Sequence, residues 1–327
     1  MHAIRQYEFG PAENLRYEVV DDPEPGPGQV RIAVTAAGIH LLDTNIRAGV
    51  HGGPFGRPVL PMTPGREVAG TVDQLGDGVD PSWLGKRVTA HLGQASGGYA
   101  ELAIAAATAL HALPASLSDD AGVAMIGTGR TAMGIIEAAA FEPDDVVLIT
   151  AAAGGLGTLL VQEARSAGAT TVGVASGPAK VMVIRDMGAD IAADYTAPGW
   201  AAEVQDRLGE RRVSVVLDGV GGELGRAALE LIGPGGRILL YGWSSGTPTP
   251  LSTEDLYARA LTATVPIGPR MLNRPGGLRQ LEEAAITAAG TRRLVPIIGQ
   301  TFALEDAAAA HRALESRATT GKVVLKP

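Results

Sequence analysis

At 327 residues, 46% hydrophobic and 19% charged, the chain has the composition of a folded enzyme and exceeds the size at which one core keeps growing, so two domains are expected. Its formal net charge of -8 excludes a sequence-independent grip on nucleic acid, which needs clustered Lys and Arg to displace counterions from phosphates. Cysteine is absent, which removes disulfides, thiolate nucleophiles and cysteine-ligated zinc together.

The first residues, Met1 to Glu8, contain no apolar leader. No uncharged apolar run approaches the roughly 20 residues that cross a bilayer, so a cytoplasmic protein with no membrane partner is expected. Up to about residue 110 the text reads as short β segments cut by Gly and Pro, such as Gln29 to Val34 after the turn-rich Pro23 to Gly28. From about residue 120 it changes to Ala-rich amphipathic stretches alternating with the apolar strands Val146–Thr150, Thr171–Ala175, Val213–Leu217 and Arg237–Tyr241. Such alternation predicts a doubly wound, parallel α/β sheet. Beyond about residue 268, a helix (Leu278–Ala289) and two short strands, Val295–Gly299 and Lys322–Leu325, flank a second Ala-rich helix, Leu304–Glu315; these could close either domain. Lysine stands only at Lys86, Lys180, Lys322 and Lys326, so a lysine beside a candidate site carries more information than usual.

The strand Asp145 to Thr150 runs directly into Ala151-Ala152-Ala153-Gly154-Gly155-Leu156-Gly157 and then a helix predicted over 158–167. Strand, small-residue loop and helix in that order present backbone N–H groups and a helix N-terminus to a pyrophosphate. At the end of the second strand, where an NAD enzyme carries an acid for the ribose 2'-hydroxyl, the chain reads Ala175-Ser176-Gly177-Pro178-Ala179-Lys180. A serine hydroxyl and an ammonium suit a 2'-phosphate, which a carboxylate would repel, so NADPH is favoured as cofactor. The plainer alternative for Lys180 is a solvated residue in the first turn of a helix.

Several ordered segments carry a resemblance over nearly the whole chain. They are Pro25–Val30, Ala36–Ile39 with Asp43-Thr44, Ile46–Gly49, Pro64–Gly70, Gly97–Glu101, the glycine loop, Gly188–Asp190, Leu217–Gly221 and Thr320–Leu325. Together they resemble the medium-chain dehydrogenases/reductases, within them the zinc-free quinone oxidoreductase (zeta-crystallin-like) family. The resemblance implies a Rossmann domain over 121–267 that binds NADPH. It also implies a mostly β, GroES-like catalytic domain over 1–120 completed by 268–327, an active site in the cleft between domains, and a homodimer. It implies that Ser176, Lys180 and Tyr195 hold the 2'-phosphate and that Tyr241, Gly242 and Ser244 line the nicotinamide. Val265 would then lie near the carboxamide and Arg317 would reach the cofactor, joined by Asn45, Thr131 and Val220. Tyr241 and Val265 could instead be core residues at strand ends.

Zinc enzymes of the superfamily place their ligands at positions that look equivalent to His40, Arg66 and Thr128, of which only His40 could ligate. The structural zinc lobe has no counterpart, because Val88 is followed closely by Gly97-Gly98-Tyr99. Without a Lewis acid, reduction of a simple ketone is hard, whereas hydride added to a quinone or enone leaves a delocalised charge that a few hydrogen bonds stabilise. The expected substrate is therefore a small conjugated carbonyl compound. Quinone reductases commonly carry Asn at the position of His40 and Tyr at those of Asn45 and His51; this chain has none of them. His40 and His51 are the candidate catalytic residues, able to hydrogen-bond a developing oxyanion or deliver a proton near neutral pH. Arg66 is expected to pair with Glu67. The competing readings are an enoyl-thioester reductase and an NADPH-binding protein without turnover.

Overall fold

The computed structural model describes residues 1–50 and 58–327. In chain order its first half forms β1 (His2–Gln6), β2 (Leu15–Val19), β3 (Gln29–Ile39), α1 (Leu41–Ala48), β4 (Glu67–Leu75), β5 (Arg87–His91), β6 (Leu102–Ala106), β7 (Leu110–Ala112), α2 (Asp119–Ala124) and α3 (Arg130–Ala139). The alternation then runs β8 (Val146–Ile149), α4 (Gly155–Ser166), β9 (Thr170–Ala175), α5 (Pro178–Asp186), β10 (Ile191–Asp194), α6 (Trp200–Leu208), β11 (Val213–Asp218) and α7 (Gly222–Glu230). It ends with β12 (Ile232–Leu240), α8 (Thr253–Arg259), β13 (Thr262–Thr264), α9 (Pro269–Leu272), α10 (Gly277–Gly290), β14 (Ile298–Ala303), α11 (Ala307–Glu315) and β15 (Lys322–Lys326).

The chain divides into two compact units, a β unit of residues 1–130 with 282–327 and an α/β unit of residues 131–281. Sequence patterning put the breaks near 120 and 268. The units part instead at the start of α3 and within α10, where a continuous helical pattern carries no composition signal.

In the β unit, one sheet runs β14-β15-β3-β4-β5-β7, with β6 also paired to β3. β3 alternates strictly at first, burying Val30, Ile32 and Val34 between less buried neighbours, as a half-buried antiparallel strand should. Those residues, with Val68, Val72, Val88, Leu110, Val323 and Leu325, form the unit's core. The strand predicted over Val295–Gly299 begins later, at Ile298, because Pro296 has no N–H to give a ladder. α2 is capped by Ser118, whose Oγ accepts from the Ala121 N–H at 3.2 Å. It passes into a fully buried π-helical turn, Met125–Gly129, a distortion often found at functional sites.

The α/β unit holds an all-parallel sheet of order β10-β9-β8-β11-β12-β13. β8 is buried at every residue, as strands covered on both faces are. The chain builds outward from β8 to β10 and then returns to lay β11 on the other side of β8. That reversal is the switch point at which ligands bind in doubly wound sheets, outside the carboxyl ends of the strands. The strands β10 and β13 escaped the sequence reading because they are only 4 and 3 residues long and rich in Ala and Thr.

Candidate active site

In the α/β unit the carboxyl ends of the strands carry most of the residues expected to hold a cofactor. After β8, the chain turns through Ala151 at φ 47° and enters α4 from Gly154, with no side chain capping the helix. Its first N–H groups thus have no intrahelical acceptor, as at the helix N-termini that bind phosphates. Gly157 leaves no choice of residue: a Cβ there would lie 2.4 Å from the Ala151 carbonyl oxygen and 2.6 Å from the Ala152 Cα. The helix starts three residues earlier than the sequence suggested, so that Gly155, Leu156 and Gly157 belong to its first turn.

At the switch point Asp218, fully buried, organises the loop. Its Oδ1 accepts from Thr150 Oγ1 at 2.9 Å and from the Val220 and Gly221 N–H groups at 2.9 and 3.1 Å, while Thr249 donates to Oδ2. Thr150 Oγ1 in turn accepts from the Gly219 N–H at 3.0 Å. Val220 is buried. Tyr241 and Gly242 follow β12, with the Tyr241 N–H donating to the Asp218 carbonyl at 2.9 Å and that of Ser244 to the Gly219 carbonyl at 3.3 Å. Burial and the Asp218 carboxylate push the Tyr241 phenol up, so it remains a donor.

After β9, Lys180 Nζ donates to Ser176 Oγ at 3.3 Å, which brings together the two groups singled out for a 2'-phosphate. The sequence reading saw no acid nearby, and here the structure corrects it. Asp194, at the end of the adjacent β10, accepts from the Gly177 N–H at 2.9 Å and from the Thr196 N–H at 2.9 Å. The Thr196 hydroxyl and these N–H donors hold its carboxyl below the usual carboxylate range. Asp194 is 18 residues from Ser176 in the chain and becomes its neighbour only through the β9–β10 pairing. Tyr195 follows it, its N–H donating to the Ala175 carbonyl at 3.1 Å. Val265, just past β13, is 54% exposed, which is not a core position. Thr131 lies in α3, partly buried.

Asn45 and Arg317 belong to the β unit, both exposed: Asn45 on α1, and Arg317 after α11 with φ 60°. His51 lies outside the described residues. His40 does not stand alone. It begins α1, where its N–H donates to Asp43 Oδ2 at 2.7 Å, and its half-buried ring meets a buried cluster drawn from four distant segments. Lys322 Nζ donates to Glu67 Oε2 at 2.7 Å, to His40 Nε2 at 3.0 Å and to Thr128 Oγ1 at 3.3 Å. All three N–H groups of the ammonium are thereby used. Glu67 Oε1 lies 2.5 Å from the same Nε2, yet has no hydrogen-bond partner among the described residues.

Burial alone would push the Glu67 carboxyl up, but the charges of His40 and Lys322 outweigh it and hold Glu67 well below the usual carboxylate range. Space for the cluster is left by two glycines. A Cβ on Gly38 of β3 would come 2.4 Å from Glu67 Oε2, and one on Gly127 of the π-helical turn 1.6 Å from Oε1. Arg66, which precedes β4, does not pair with Glu67 as expected. Arg66 Nε lies instead 3.3 Å from Asp43 Oδ1, in a second buried group where Tyr99 OH stands 3.4 Å from Asp43 Oδ2 and 3.3 Å from His311 Nε2. Sequence reasoning gave Glu67 only as a partner for Arg66 and assigned Lys322 no role. The scarcity of lysine was the one signal that could have promoted Lys322.

A switch-point dinucleotide edge in one unit and a His–Glu–Lys cluster in the other define a nucleotide-dependent oxidoreductase of the medium-chain type. Residues 26–115 match the alcohol dehydrogenase GroES-like domain and residues 187–325 the zinc-binding dehydrogenase family. The chain is 34% identical to a 2-haloacrylate reductase from Burkholderia sp., covering 100% of this chain and 99% of that one, and 30% identical to a quinone oxidoreductase from Sus scrofa, covering 99% and 97%. The solved Escherichia coli quinone oxidoreductase complexed with NADPH superposes with a TM-score of 0.87 at 27% identity over 100% of both chains. The chain belongs to the quinone oxidoreductase family of the medium-chain dehydrogenases/reductases. Among the described residues no helix is long and apolar enough to cross a membrane.

Proposed function

We propose that the chain is an NADPH-dependent reductase that passes hydride to a quinone or another conjugated carbonyl compound, without zinc. The observation that carries the reading is the Lys180–Ser176 contact of 3.3 Å at the end of β9, beside an uncapped α4 whose first turn admits no side chain at Gly157. Those residues fit a pyrophosphate and a 2'-phosphate, with Gly154, Gly155, Leu156, Tyr195, Val220, Tyr241, Gly242, Ser244 and Val265 along the same edge. Asn45, Thr131 and Arg317 complete the proposed cofactor set. When bound, the nicotinamide supplies the hydride. His40, joined by His51, hydrogen-bonds the acceptor oxygen as charge develops on it.

The haloacrylate named for one relative is itself a conjugated acid, so hydride at its β-carbon spreads charge onto carboxyl oxygens just as a quinone spreads it onto a phenolate. A homodimer is part of the proposal: β13 is an edge strand, and exposed Tyr257 and Val265 lie on either side of it in sequence.

The test is an acceptor panel of a quinone, an enone and a crotonyl thioester, run with NADPH and with NADH, with and without a chelator. Oxidation of NADPH by the quinone or enone, indifferent to the chelator, is expected. Tight NADPH binding with no turnover would leave a binding protein, a faster thioester reaction would make the chain an enoyl-thioester reductase, and chelator sensitivity would restore zinc.

A further inference from the structure

Among the described residues Asp218, a fully buried carboxylate, has four hydrogen-bond partners, and all of them are neutral: the Thr150 and Thr249 hydroxyls and the Val220 and Gly221 N–H groups. Burying a charge without a counter-ion is costly, and these hydrogen bonds do not by themselves call for one. Oδ1 accepts from Thr150, Val220 and Gly221, which an amide oxygen would do as well. An amide nitrogen in the place of Oδ2 would donate to the Thr249 hydroxyl. The fold of the loop therefore accounts for the shape of the side chain and not for its charge. The two N–H groups lie just ahead of α7, where a helix favours an anion, and this lowers the cost without removing the charge.

The charge sits beside the residues proposed to line the nicotinamide. Val220 donates its N–H directly to the carboxylate at 2.9 Å. A Cβ on Gly219 would come 2.6 Å from Tyr241 Cε2, and one on Gly242 2.8 Å from the Gly219 carbonyl oxygen. The residue after Asp218 thus packs against the two that follow β12. The Tyr241 phenol is pushed up first by burial and then by the charge of Asp218, so the field of the carboxylate reaches that edge. Hydride transfer carries a hydrogen nucleus with two electrons from the reduced nicotinamide to the acceptor, whose anion then takes a proton from water. The ring left behind bears one positive charge, which a buried negative charge nearby attracts.

We propose that Asp218 sets the balance between the two redox forms of the cofactor: its charge strengthens the binding of NADP+ relative to NADPH and so favours departure of the hydride. Asp218 acts through its field and is on this account a positioning residue that also holds the loop of Val220. The inference rests on the NADPH reading given above.

The experiment measures dissociation constants of NADPH and of NADP+ by titration calorimetry for the wild-type chain, Asp218→Asn, Asp218→Ser and Thr249→Val. Asparagine keeps an oxygen for the loop N–H groups, and serine is a smaller neutral replacement should the first variant fail to fold. Thr249→Val loosens the loop and leaves the charge in place. We expect both neutral variants to weaken NADP+ by about 10-fold more than NADPH, the order of one partly screened charge pair inside a protein. Thr249→Val should leave the ratio of the two constants unchanged. Equal losses of both forms in the neutral variants, or a ratio moved in favour of NADP+, would overturn the proposal. So would a Thr249→Val variant that moves the ratio as far as Asp218→Asn, because loop order and not charge would then be the cause. A wild-type chain that binds neither form would overturn the NADPH reading and the inference together, whereas binding of both with a ratio fixed across the variants would overturn the inference alone.

Discussion

The two units handle charge by opposite means, the α/β unit at the proposed phosphate site and the β unit in its buried cluster. The α/β unit uses the backbone: N–H groups at the start of α4, glycine where no Cβ fits, and strand ends aligned by a parallel sheet. The β unit uses buried side chains, His40, Glu67, Thr128 and Lys322, which balance one another's charge inside the fold. A backbone site tolerates changes of side chain and fails by steric blockage. A side-chain site fails by loss of a single charge or proton.

The largest effect expected from that contrast is on the stability of the β unit in acid. Burial, with Arg130 nearby, lowers His91 to about 4, and burial lowers His311 to about 4 against the partial opposition of Asp43. Both imidazoles are neutral when folded and take a proton more readily when unfolded, so their stabilisation is complete above 6.5 and is lost as pH falls toward 4. At roughly 1.4 kcal/mol per pKa unit, each accounts for about 3 kcal/mol by pH 4, a large part of the total stability of an ordinary domain. Urea midpoints at pH 7, 5.5 and 4 measure it. His311→Gln should flatten the dependence, and an unchanged slope in that variant would remove His311 from the account.

Next in size is blockage of the backbone site. Gly157→Ala sets a methyl 2.4 Å from the Ala151 carbonyl oxygen, and NADPH dissociation constants should rise by about 100-fold, roughly 2.7 kcal/mol, as read by quenching of protein fluorescence. An alanine variant that binds normally would show that the loop can move aside. Lys180→Ala comes third: losing one ammonium from a phosphate contact should weaken NADPH by about 10- to 30-fold and leave NADH unchanged. Equal losses for both cofactors would assign Lys180 to the fold instead.

The same contrast explains what could be read from the residue string. The glycine loop, its strand and its helix are contiguous, so their chemistry was legible from 145 to 167, and so was the parallel sheet to which they belong. His40, Glu67, Thr128 and Lys322 come from β3's exit, β4, a π-helical turn and β15, and only the antiparallel pairing of β3 with β4 and β15 brings them together. Nothing local in the sequence distinguishes Lys322 from an ordinary strand-end lysine. The Arg66–Glu67 pair was misjudged because the partner of Arg66 is Asp43, 23 residues earlier in the chain, and Asp194 was missed because its partner loop lies one strand away.

Asp194 provides the finest test. Its carboxylate holds the Gly177 and Thr196 N–H groups and so fixes the loop that carries Ser176, but it also places negative charge beside the site proposed for a 2'-phosphate. Asp194→Asn keeps an oxygen for those N–H donors while removing the charge. At the surface, in water and salt, two like charges about 6 Å apart repel by only about 0.5 kcal/mol, so the ratio of NADPH to NADH affinity should rise by about two- to threefold. A fall in that ratio would mean that the order imposed on the loop outweighs the repulsion, and that Asp194 belongs to the machinery of recognition, not against it.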